Sequence, residues 1–363
     1  MRFLTTDQAL EDLATFARAK QASSELGKRR PWVLIGGSYP GMLAAFARAR
    51  FPDVFECAVA SSAPVHARLD FVGFQDSVTR GYQMNVEGVR GSKRCSQQIG
   101  DGHKEVLAKL GSASGRAELA RLFPFSVPSA EWLDEPANQR TFAGCGVASF
   151  PAQANQPACT TPACGVTQIC KIMSEDGHDG TPLERLAKVA AAQSASDMTV
   201  TCEMDWEMPG DVGPATSNYW GYQCCNEWGF YQTCEVGTQC FYAQGLVSFT
   251  SAEHQPDDYC LGQFGIERAV SRAAIVANEA KWTRLVANAT RILWVNGDLD
   301  PWHNLSNLVS PGAEQPVIWP VRGAHHCAWM SATAPGDQSS VKQARAAIYK
   351  AVLGWISSYA NDG

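Results

Sequence analysis

A short apolar segment that ends in a glycine-rich turn constrains the fold of this chain more than any other feature. Trp32-Val33-Leu34-Ile35 has the composition of a strand buried on both faces, and Gly36-Gly37 follows it directly. Residues 40–50 are strong helix formers with a proline near their start, and residues 57–60 form a second apolar run. Strand, sharp turn, helix and strand together predict one βαβ unit of a parallel sheet.

Two further strand-like segments lie near the end of the chain. Apart from Arg291, residues 291–295 and 316–320 are apolar, whereas the chain between 66 and 218 is partly helical and rich in cysteine, proline and glycine. We therefore predict an α/β fold in which a parallel-sheet domain, residues 1–65 and 219–363, is interrupted by a helical, cysteine-rich insertion, residues 66–218.

Composition and charge exclude several classes of protein. Hydrophobic residues make up 45% of the 363 residues, which is enough for a sizeable core. The chain has 30 basic and 36 acidic residues, and no Lys/Arg run stands out beyond a short basic turn at residues 28–30, so we expect no nucleic-acid partner. No segment approaches the roughly 20 apolar residues of a membrane-spanning helix, so we also expect no membrane span.

The 13 cysteines indicate disulfide bonds rather than a metal site. Eight of them lie between Cys145 and Cys234, counting both, at irregular spacing and without a C-x-x-C pair. Zinc sites usually show such pairs, whereas disulfides are typical of exported or lysosomal proteins. N-glycosylation triplets at Asn288 and Asn304 favour the same compartments. Because the acidic N-terminal segment does not resemble a signal peptide, we interpret Met1 as lying downstream of the natural start.

The turn Gly36-Gly37-Ser38-Tyr39-Pro40-Gly41 has the position of a nucleophile elbow, between a strand and a helix. Small neighbours permit the strained turn that exposes a nucleophilic hydroxyl, here that of Ser38. The amide of Tyr39, at the start of the helix, would then face an oxyanion on the substrate. The usual pattern is G-x-S-x-G, and Pro40 replaces its second glycine. The alternative interpretation is a tight turn with an incidental serine.

Two later loops contain the other groups of a Ser–Asp–His triad. Asp298 and Asp300 follow the first of the late strands, where a hydrolase places the carboxylate that orients its histidine. His325 and His326 follow the second late strand and complete the chain order Ser, Asp, His. Either aspartate and either histidine qualifies by chemistry, and each alone is also compatible with a polar turn or a structural histidine. The order and the strand-end positions together favour the triad.

Three segments resemble the prolylcarboxypeptidase-like serine peptidases, a family that includes lysosomal Pro-X carboxypeptidase, dipeptidyl peptidase II and thymus-specific serine protease. They are GGSYPGMLAAFARARFPDVFECAVASSAPV, NGDLDPWHNLS and GAHHCAWM. The start FLTTDQALEDLA is similar to the helix that precedes the family's nucleophile strand. The resemblance implies an α/β-hydrolase fold with an inserted helical, disulfide-bearing cap. It also implies catalysis without a cofactor or a metal.

Carried over by motif, the resemblance implies roles for individual residues. Ser38 is the nucleophile, and Asp300 of the L-D-P-W motif is the triad aspartate. Family members with G-A-H-H place the histidine at His325, and members with H-C-x-x-M place it at His326. The D-P-W-H form of the aspartate motif resembles the second group, so we expect His326 to be the general base.

The same resemblance implies peptide substrates with proline near the scissile bond, trimmed by a carboxypeptidase or a dipeptidyl peptidase. An apolar, aromatic-lined pocket suits the pyrrolidine ring, and Met42 and Trp302 are the candidate lining residues. Ordinary core packing explains both equally well. We expect a secreted, lysosomal or vacuolar protein, and a homodimer is an open alternative. The implied disulfides are Cys225–Cys260 and Cys95–Cys234.

The region before the nucleophile is short. Only 37 residues precede Ser38, whereas several strands precede the nucleophile strand of an α/β-hydrolase, and a loop among them supplies a second oxyanion amide. We interpret the chain as an N-terminally incomplete member whose parallel sheet has an unpaired edge, which predicts poor folding and an inactive fragment. The alternative is a catalytically inactive, secreted hydrolase-like binding or scaffold protein, which Pro40 also favours.

Overall fold

The computed structural model describes residues 1, 3–23, 30–174, 179–196, 218–251 and 254–361. The chain forms two compact units. The first unit comprises Met1–Leu69, Gly213–Phe230 and Cys260–Gly363, and the second unit comprises Asp70–Val212 and Tyr231–Tyr259. The second unit thus includes a late segment that the predicted boundaries assign to the sheet domain.

The helices in chain order are α1 (Thr6–Ala22), α2 (Tyr39–Arg50), α3 (Val72–Gly81), α4 (Lys93–Leu110), α5 (Ala113–Leu122), α6 (Pro136–Ala143), α7 (Val166–Ser174), α8 (Pro182–Ser194), α9 (Tyr219–Gln223), α10 (Tyr259–Phe264), α11 (Arg268–Ala287) and α12 (Ser339–Asn361). The strands are β1 (Trp32–Gly37), β2 (Phe55–Ser61), β3 (Arg68–Asp70), β4 (Asn85–Val86), β5 (Val89–Arg90), β6 (Gly229–Tyr231), β7 (Ile292–Gly297) and β8 (Val317–Val321). Cys224–Trp228 forms a π-helical turn, and Pro301–Leu305 forms a short 3-10 helix. Over the described residues, no helix combines the length and the apolar character needed to cross a membrane.

A parallel sheet forms the centre of the first unit, as predicted. Its strand order is β1-β2-β7-β8. Gly37 at the end of β1 is aligned with Ser61 of β2, and Ser61 is aligned with Val295 of β7. The carboxyl ends of these strands therefore lie along one edge of the sheet, where the loops that follow them come together.

β1 lies at one end of this sheet, so the expected burial of both its faces is wrong. Ile35 is 61% exposed, and of the strand's residues only Gly36 is buried. The Phe16 ring of α1 packs edge-to-face on Trp32, with ring centroids 6.0 Å apart, and gives partial cover. Central β2 and β7 are almost completely buried. All of these strands have apolar runs, because a run of four residues does not distinguish a central strand from an edge strand.

Two apolar clusters stabilise the first unit. In one, Val59, Leu293 and Val295 of the central strands are buried together with side chains of α12. In the other, Phe46 of α2 stacks on Trp282 of α11, with ring centroids 4.4 Å apart. Removal of these side chains from water supplies the main driving force for packing the helices on the sheet.

Each of the two units contains disulfide bonds within itself. The second unit contains Cys95–Cys170, Cys159–Cys164 and Cys234–Cys240. The first unit contains Cys225–Cys260, the pair expected from the resemblance. The expected Cys95–Cys234 pair is wrong, because each of these sulfurs is bonded to a different partner. Among the described residues, the free thiols are those of Cys57, Cys224 and Cys327.

A fully buried histidine, His103, lies in an aromatic cluster of the second unit. Its ring is nearly parallel to that of Phe241 and perpendicular to that of Tyr242. Its Nδ1–H donates to the Ile99 carbonyl oxygen at 2.9 Å, and its Nε2 accepts from the Val147 amide at 3.4 Å. Both ring nitrogens are thus used by the neutral form, and burial lowers the pKa of His103 to about 4.

Candidate active site

The turn between β1 and α2 holds Ser38 in a strained backbone conformation. Its φ is 61° and its ψ is −131°, a combination that residues other than glycine rarely adopt. The Ser38 amide donates to the Ser61 carbonyl oxygen at 2.9 Å, which fixes the turn to the end of β2. Helix α2 begins at Tyr39, the next residue. A strained serine between a strand and a helix is the arrangement of a nucleophile elbow.

The glycine pattern of this turn has a steric cause. A Cβ at Gly36 would overlap the Pro40 carbonyl group, and a Cβ at Gly41 would lie 2.9 Å from the Ser61 carbonyl oxygen. Gly41 therefore makes the close approach to β2. Pro40 is exposed in the first turn of α2, where the missing amide hydrogen has no helical acceptor. The departure from G-x-S-x-G thus leaves the turn intact.

The two aspartates after β7 have different partners. Asp300 is fully buried, and its Oδ1 accepts from the Trp302 amide at 3.0 Å. Asp298 accepts from the Gly323 amide at 2.6 Å and forms an ion pair with Arg322 at 3.1 Å. Burial raises the pKa of Asp298 despite these partners. Asp298 therefore connects the loops that follow β7 and β8, and Asp300 keeps its second oxygen for another group.

That group is His326, one of the two histidines after β8. Its Nδ1 lies 2.9 Å from Oδ2 of Asp300. A carboxylate only accepts, so the neutral ring carries its hydrogen on Nδ1 and its lone pair on Nε2. Burial disfavours the charged ring, but the charge and hydrogen bond of Asp300 outweigh burial and raise the pKa of His326. This tautomer and orientation are those of the base in a Ser–His–Asp triad.

His325 has a different environment. Its Nδ1 lies 3.1 Å from the carbonyl oxygen of His326 and donates to it. Burial lowers the pKa of His325 more than this hydrogen bond raises it. The geometry therefore favours His326 over His325 as the partner of Asp300.

Two serines at the end of β2 connect the serine turn with the histidine loop, and sequence reasoning missed them. The Ser61 carbonyl accepts from Ser38, and the Ser61 hydroxyl accepts from the Trp329 indole at 2.9 Å. The Ser62 hydroxyl accepts from the Cys327 amide at 3.0 Å. The available signal was a pair of small polar residues directly after a buried strand, at the edge where the candidate catalytic loops were expected.

The residues next to Ser38 and next to His326 also contact each other. A Cβ at Gly37 would lie 2.8 Å from the Cys327 sulfur and 2.6 Å from that of Met330, so a side chain there would displace them. The structure therefore brings the serine turn against the histidine loop. Across the described ranges, no group of three or more His, Cys, Asp or Glu side chains is arranged to hold a metal ion.

The two candidate pocket residues differ in exposure. Met42 in α2 has no exposed surface, whereas Trp302 is 8% exposed. The Trp302 ring packs edge-to-face on Phe230, with centroids 5.3 Å apart. Of the two residues, Trp302 has surface that a ligand can contact.

Comparison with known proteins assigns this chain to a family. The family described as serine carboxypeptidase S28 matches residues 1–348. The chain belongs to this family. Within the serine carboxypeptidase S28 family, thymus-specific serine protease of Homo sapiens is 29% identical, with 98% of this chain and 69% of that protein aligned. Lysosomal Pro-X carboxypeptidase of Bos taurus is 25% identical, with 99% of this chain and 70% of that protein aligned.

Membership of the S28 family confirms the class of enzyme predicted from the three sequence segments. The chain is a serine-type peptidase, which is a hydrolase. A strained serine between a strand and a helix and a histidine–carboxylate pair are both compatible with this class of enzyme.

Proposed function

We propose that Ser38, His326 and Asp300 are the catalytic triad of this S28 peptidase. The observation that carries the proposal is the 2.9 Å contact between His326 Nδ1 and Oδ2 of the buried Asp300. This contact places the proton of the neutral ring on Nδ1, so that Nε2 carries the lone pair that accepts a proton. Ser38, in its strained turn at the end of β1, is the nucleophile, and His325 lies outside the triad.

The reaction proceeds through an acyl-enzyme. His326 Nε2 takes the hydroxyl proton of Ser38 while the oxygen attacks the scissile carbonyl carbon and forms a C–O bond. His326 then gives this proton to the leaving amine, and the C–N bond breaks. In the second half, His326 deprotonates a water that attacks the acyl carbon, and the proton returns to Ser38 as the ester bond breaks. Asp300 stays ionised and stabilises the imidazolium in each step.

The Tyr39 amide is the proposed donor to the oxyanion that forms in both halves of the reaction. It belongs to the first turn of α2, where amides have no helical acceptor and where the helix dipole favours negative charge. One such donor accounts for about 100- to 1000-fold in rate.

The proposed substrates are peptides with proline next to the scissile bond. The name of the Bos taurus relative, lysosomal Pro-X carboxypeptidase, supports this substrate class. Trp302, which is buried but keeps 8% of its surface exposed, also supports it, because an aromatic face suits the flat pyrrolidine ring. Met42 stays a predicted lining residue, and its complete burial gives that prediction no support.

The two units and the compartment fit the same proposal. We assign the triad chemistry to the first unit and the role of the predicted cap to the helical second unit. The disulfides support an oxidising compartment, either the extracellular space or the lysosome.

A fluorophosphonate probe, which reacts with activated serines, tests the triad. We expect wild type and Ser340→Ala, which changes a serine hydroxyl on α12, to be labelled, and Ser38→Ala to remain unlabelled. His326→Gln should abolish labelling, whereas His325→Gln should retain it. A folded wild-type protein that takes no label would contradict the proposal and favour the scaffold alternative.

Paired peptides test the substrate class. A peptide with a blocked N-terminus that ends in Pro-X reports carboxypeptidase activity, and a free Ala-Pro-p-nitroanilide reports dipeptidyl peptidase activity. The controls replace proline by alanine in each. We expect kcat/KM to fall with alanine, and Trp302→Ala to lower kcat/KM for the proline substrate by about 10-fold. Equal cleavage of the proline and alanine peptides would rule out the proline preference.

A further inference from the structure

Four side chains of the first unit form a closed hydrogen-bonded network beside the serine turn. The Tyr39 hydroxyl lies 3.0 Å from Oγ1 of Thr6 and 2.8 Å from Nε2 of Gln223. The Thr6 hydroxyl and the Gln223 amide both reach Oε2 of Glu227, at 3.1 and 3.5 Å. We refer to these four residues as the Tyr39 network.

The chemistry of Gln223 and Glu227 fixes the direction of the hydrogen bonds in the Tyr39 network. The Gln223 amide nitrogen only donates, and the ionised Glu227 carboxylate only accepts. Thr6 has one hydroxyl hydrogen, which it donates to Glu227. The Tyr39 hydroxyl therefore donates to Thr6 and accepts from Gln223. This order has no alternative while Glu227 is ionised, so the Tyr39 side chain is held in one orientation.

Three of the four residues are buried, and Tyr39 is half-buried. Thr6 is fully buried, and Glu227 and Gln223 are 4% and 7% exposed. Burial raises the pKa of Glu227, although the Thr6 amide donates to both of its oxygens at 2.9 and 3.1 Å. That amide lies in the first turn of α1, where the helix dipole favours a negative charge. A buried carboxylate is costly unless its partners stay in place, which makes the network rigid.

Elements outside the network hold Glu227 in position. Glu227 lies in the π-helical turn Cys224–Trp228, and such turns are frequent at functional sites. Its carbonyl oxygen accepts from Asn278 Nδ2 of α11 at 3.1 Å. The same turn is cross-linked through Cys225–Cys260.

We propose that the Tyr39 network positions the oxyanion donor. The network fixes the Tyr39 side chain, and this holds the Tyr39 amide in the position from which it donates to the oxyanion of the transition state. Thr6, Gln223 and Glu227 are positioning residues that act through Tyr39 and touch no reacting atom. The inference rests on the proposed function, in which this amide faces the oxyanion. A displaced donor stabilises the transition state less and leaves substrate binding unchanged, so loss of the network lowers kcat and not the affinity expressed in KM.

Thr6→Val is the sharpest test, because it removes the one hydroxyl that links Tyr39 to Glu227 and keeps the shape of the side chain. We expect kcat and the rate of fluorophosphonate labelling to fall by about 10- to 100-fold, less than for loss of a whole donor. KM should stay within about twofold. Thr6→Ser keeps the hydroxyl and should restore both rates. Thr283→Val is the matched control, since it removes a threonine–carboxylate bond to Glu279 on α11, and it should leave both rates unchanged.

The outcomes separate this inference from the proposed function. A wild-type protein without labelling would refute the proposed function whatever the network does. If wild type is labelled and Thr6→Val matches Thr6→Ser in kcat and labelling rate, the positioning role is wrong. If thermal unfolding shows that Thr6→Val does not fold, Tyr39→Phe, which deletes a single oxygen, takes its place. Equal kcat and labelling rates for Tyr39→Phe and wild type would then overturn the inference.

Discussion

Two histidines, one in each unit, have opposite surroundings. His326 in the first unit faces the carboxylate of Asp300 at 2.9 Å. His103 in the second unit is enclosed by aromatic rings, and its nitrogens bond to the backbone of Ile99 and Val147. The pKa of His326 is raised, whereas the pKa of His103 is lowered to about 4.

This difference shows that burial alone does not decide the charge of a histidine. Burial lowers the pKa of both rings, and the neighbouring carboxylate reverses the direction for His326. A ring that must accept a proton lies beside a negative charge. A ring that must stay neutral has partners that match one tautomer and would repel a second ring proton.

Asp300→Asn removes the charge on which the comparison depends, and it has the largest expected effect. The side-chain amide favours the wrong tautomer of His326, so we expect kcat/KM to fall about 10⁴-fold. The acid limb of the residual kcat/KM should move to lower pH, because the pKa of His326 falls. A pH profile measures both effects. Asp298→Asn is the control and should lose far less activity, so equal losses would show that Asp300 has no special role.

Two disulfides, one in each unit, close loops of very different length. Cys225–Cys260 of the first unit spans 35 residues, and Cys159–Cys164 of the second unit spans 5. Restriction of the unfolded chain predicts a loss of about 4 kcal/mol when the longer loop is opened and about 2 kcal/mol for the shorter. Denaturant unfolding of the two Cys→Ser double variants measures this. Equal losses would mean that native-state contacts, rather than loop length, set the stabilisation.

His103→Gln sharpens the other half of the histidine comparison. The pKa of His103 falls from 6.5 to about 4 on folding, so between these values the unfolded chain binds more protons. The contribution of His103 to the free energy of unfolding is therefore fully present above pH 6.5. It is lost as the pH falls toward 4, by about 3 kcal/mol in total. Unfolding free energies at pH 7 and pH 4 should show this loss in wild type and not in His103→Gln. A variant with the wild-type pH dependence would assign the loss to other groups.

Substitution of two glycines in α4 by alanine has the smallest expected effects on stability. A Cβ at Gly102 would lie 2.5 Å from the Leu186 side chain of α8 and 2.9 Å from the Pro182 carbonyl oxygen, whereas a Cβ at Gly100 would lie 3.6 Å from Phe241. We expect Gly102→Ala to cost about 1–3 kcal/mol and Gly100→Ala to stabilise by about 0.5–1 kcal/mol. Melting temperatures of the two variants test this. Stabilisation by Gly102→Ala would show that α4 and α8 adjust freely.

Much of the first unit could be predicted from the sequence. The runs that became β1, β2, β7 and β8 are apolar and end in turn residues, so their pairing in a parallel sheet follows from composition. The candidate catalytic loops were found because they follow these strands. The choice between His325 and His326 rested on a motif, and only the contact with Asp300 gives it a physical basis.

The rest depends on contacts between distant parts of the chain. Thr6 and Glu227 are 221 residues apart, and neither has a neighbour in sequence that signals the other. The disulfide partner of Cys95 was mispredicted, because spacing does not fix connectivity. The exposure of β1 was missed, because an edge strand and a central strand can have the same apolar run.

The sheet has a consequence for the order of synthesis. β2 pairs directly with β7, and every segment of the second unit lies between them along the chain. During synthesis, β1 and β2 therefore leave the ribosome before the second unit, and β7 leaves it after the second unit. The pairing of β2 with β7 is thus a late and slow event in folding. The proposed nucleophile precedes the second unit along the chain, and its proposed base follows it. The proposed triad is therefore incomplete in the nascent chain until His326 has been added.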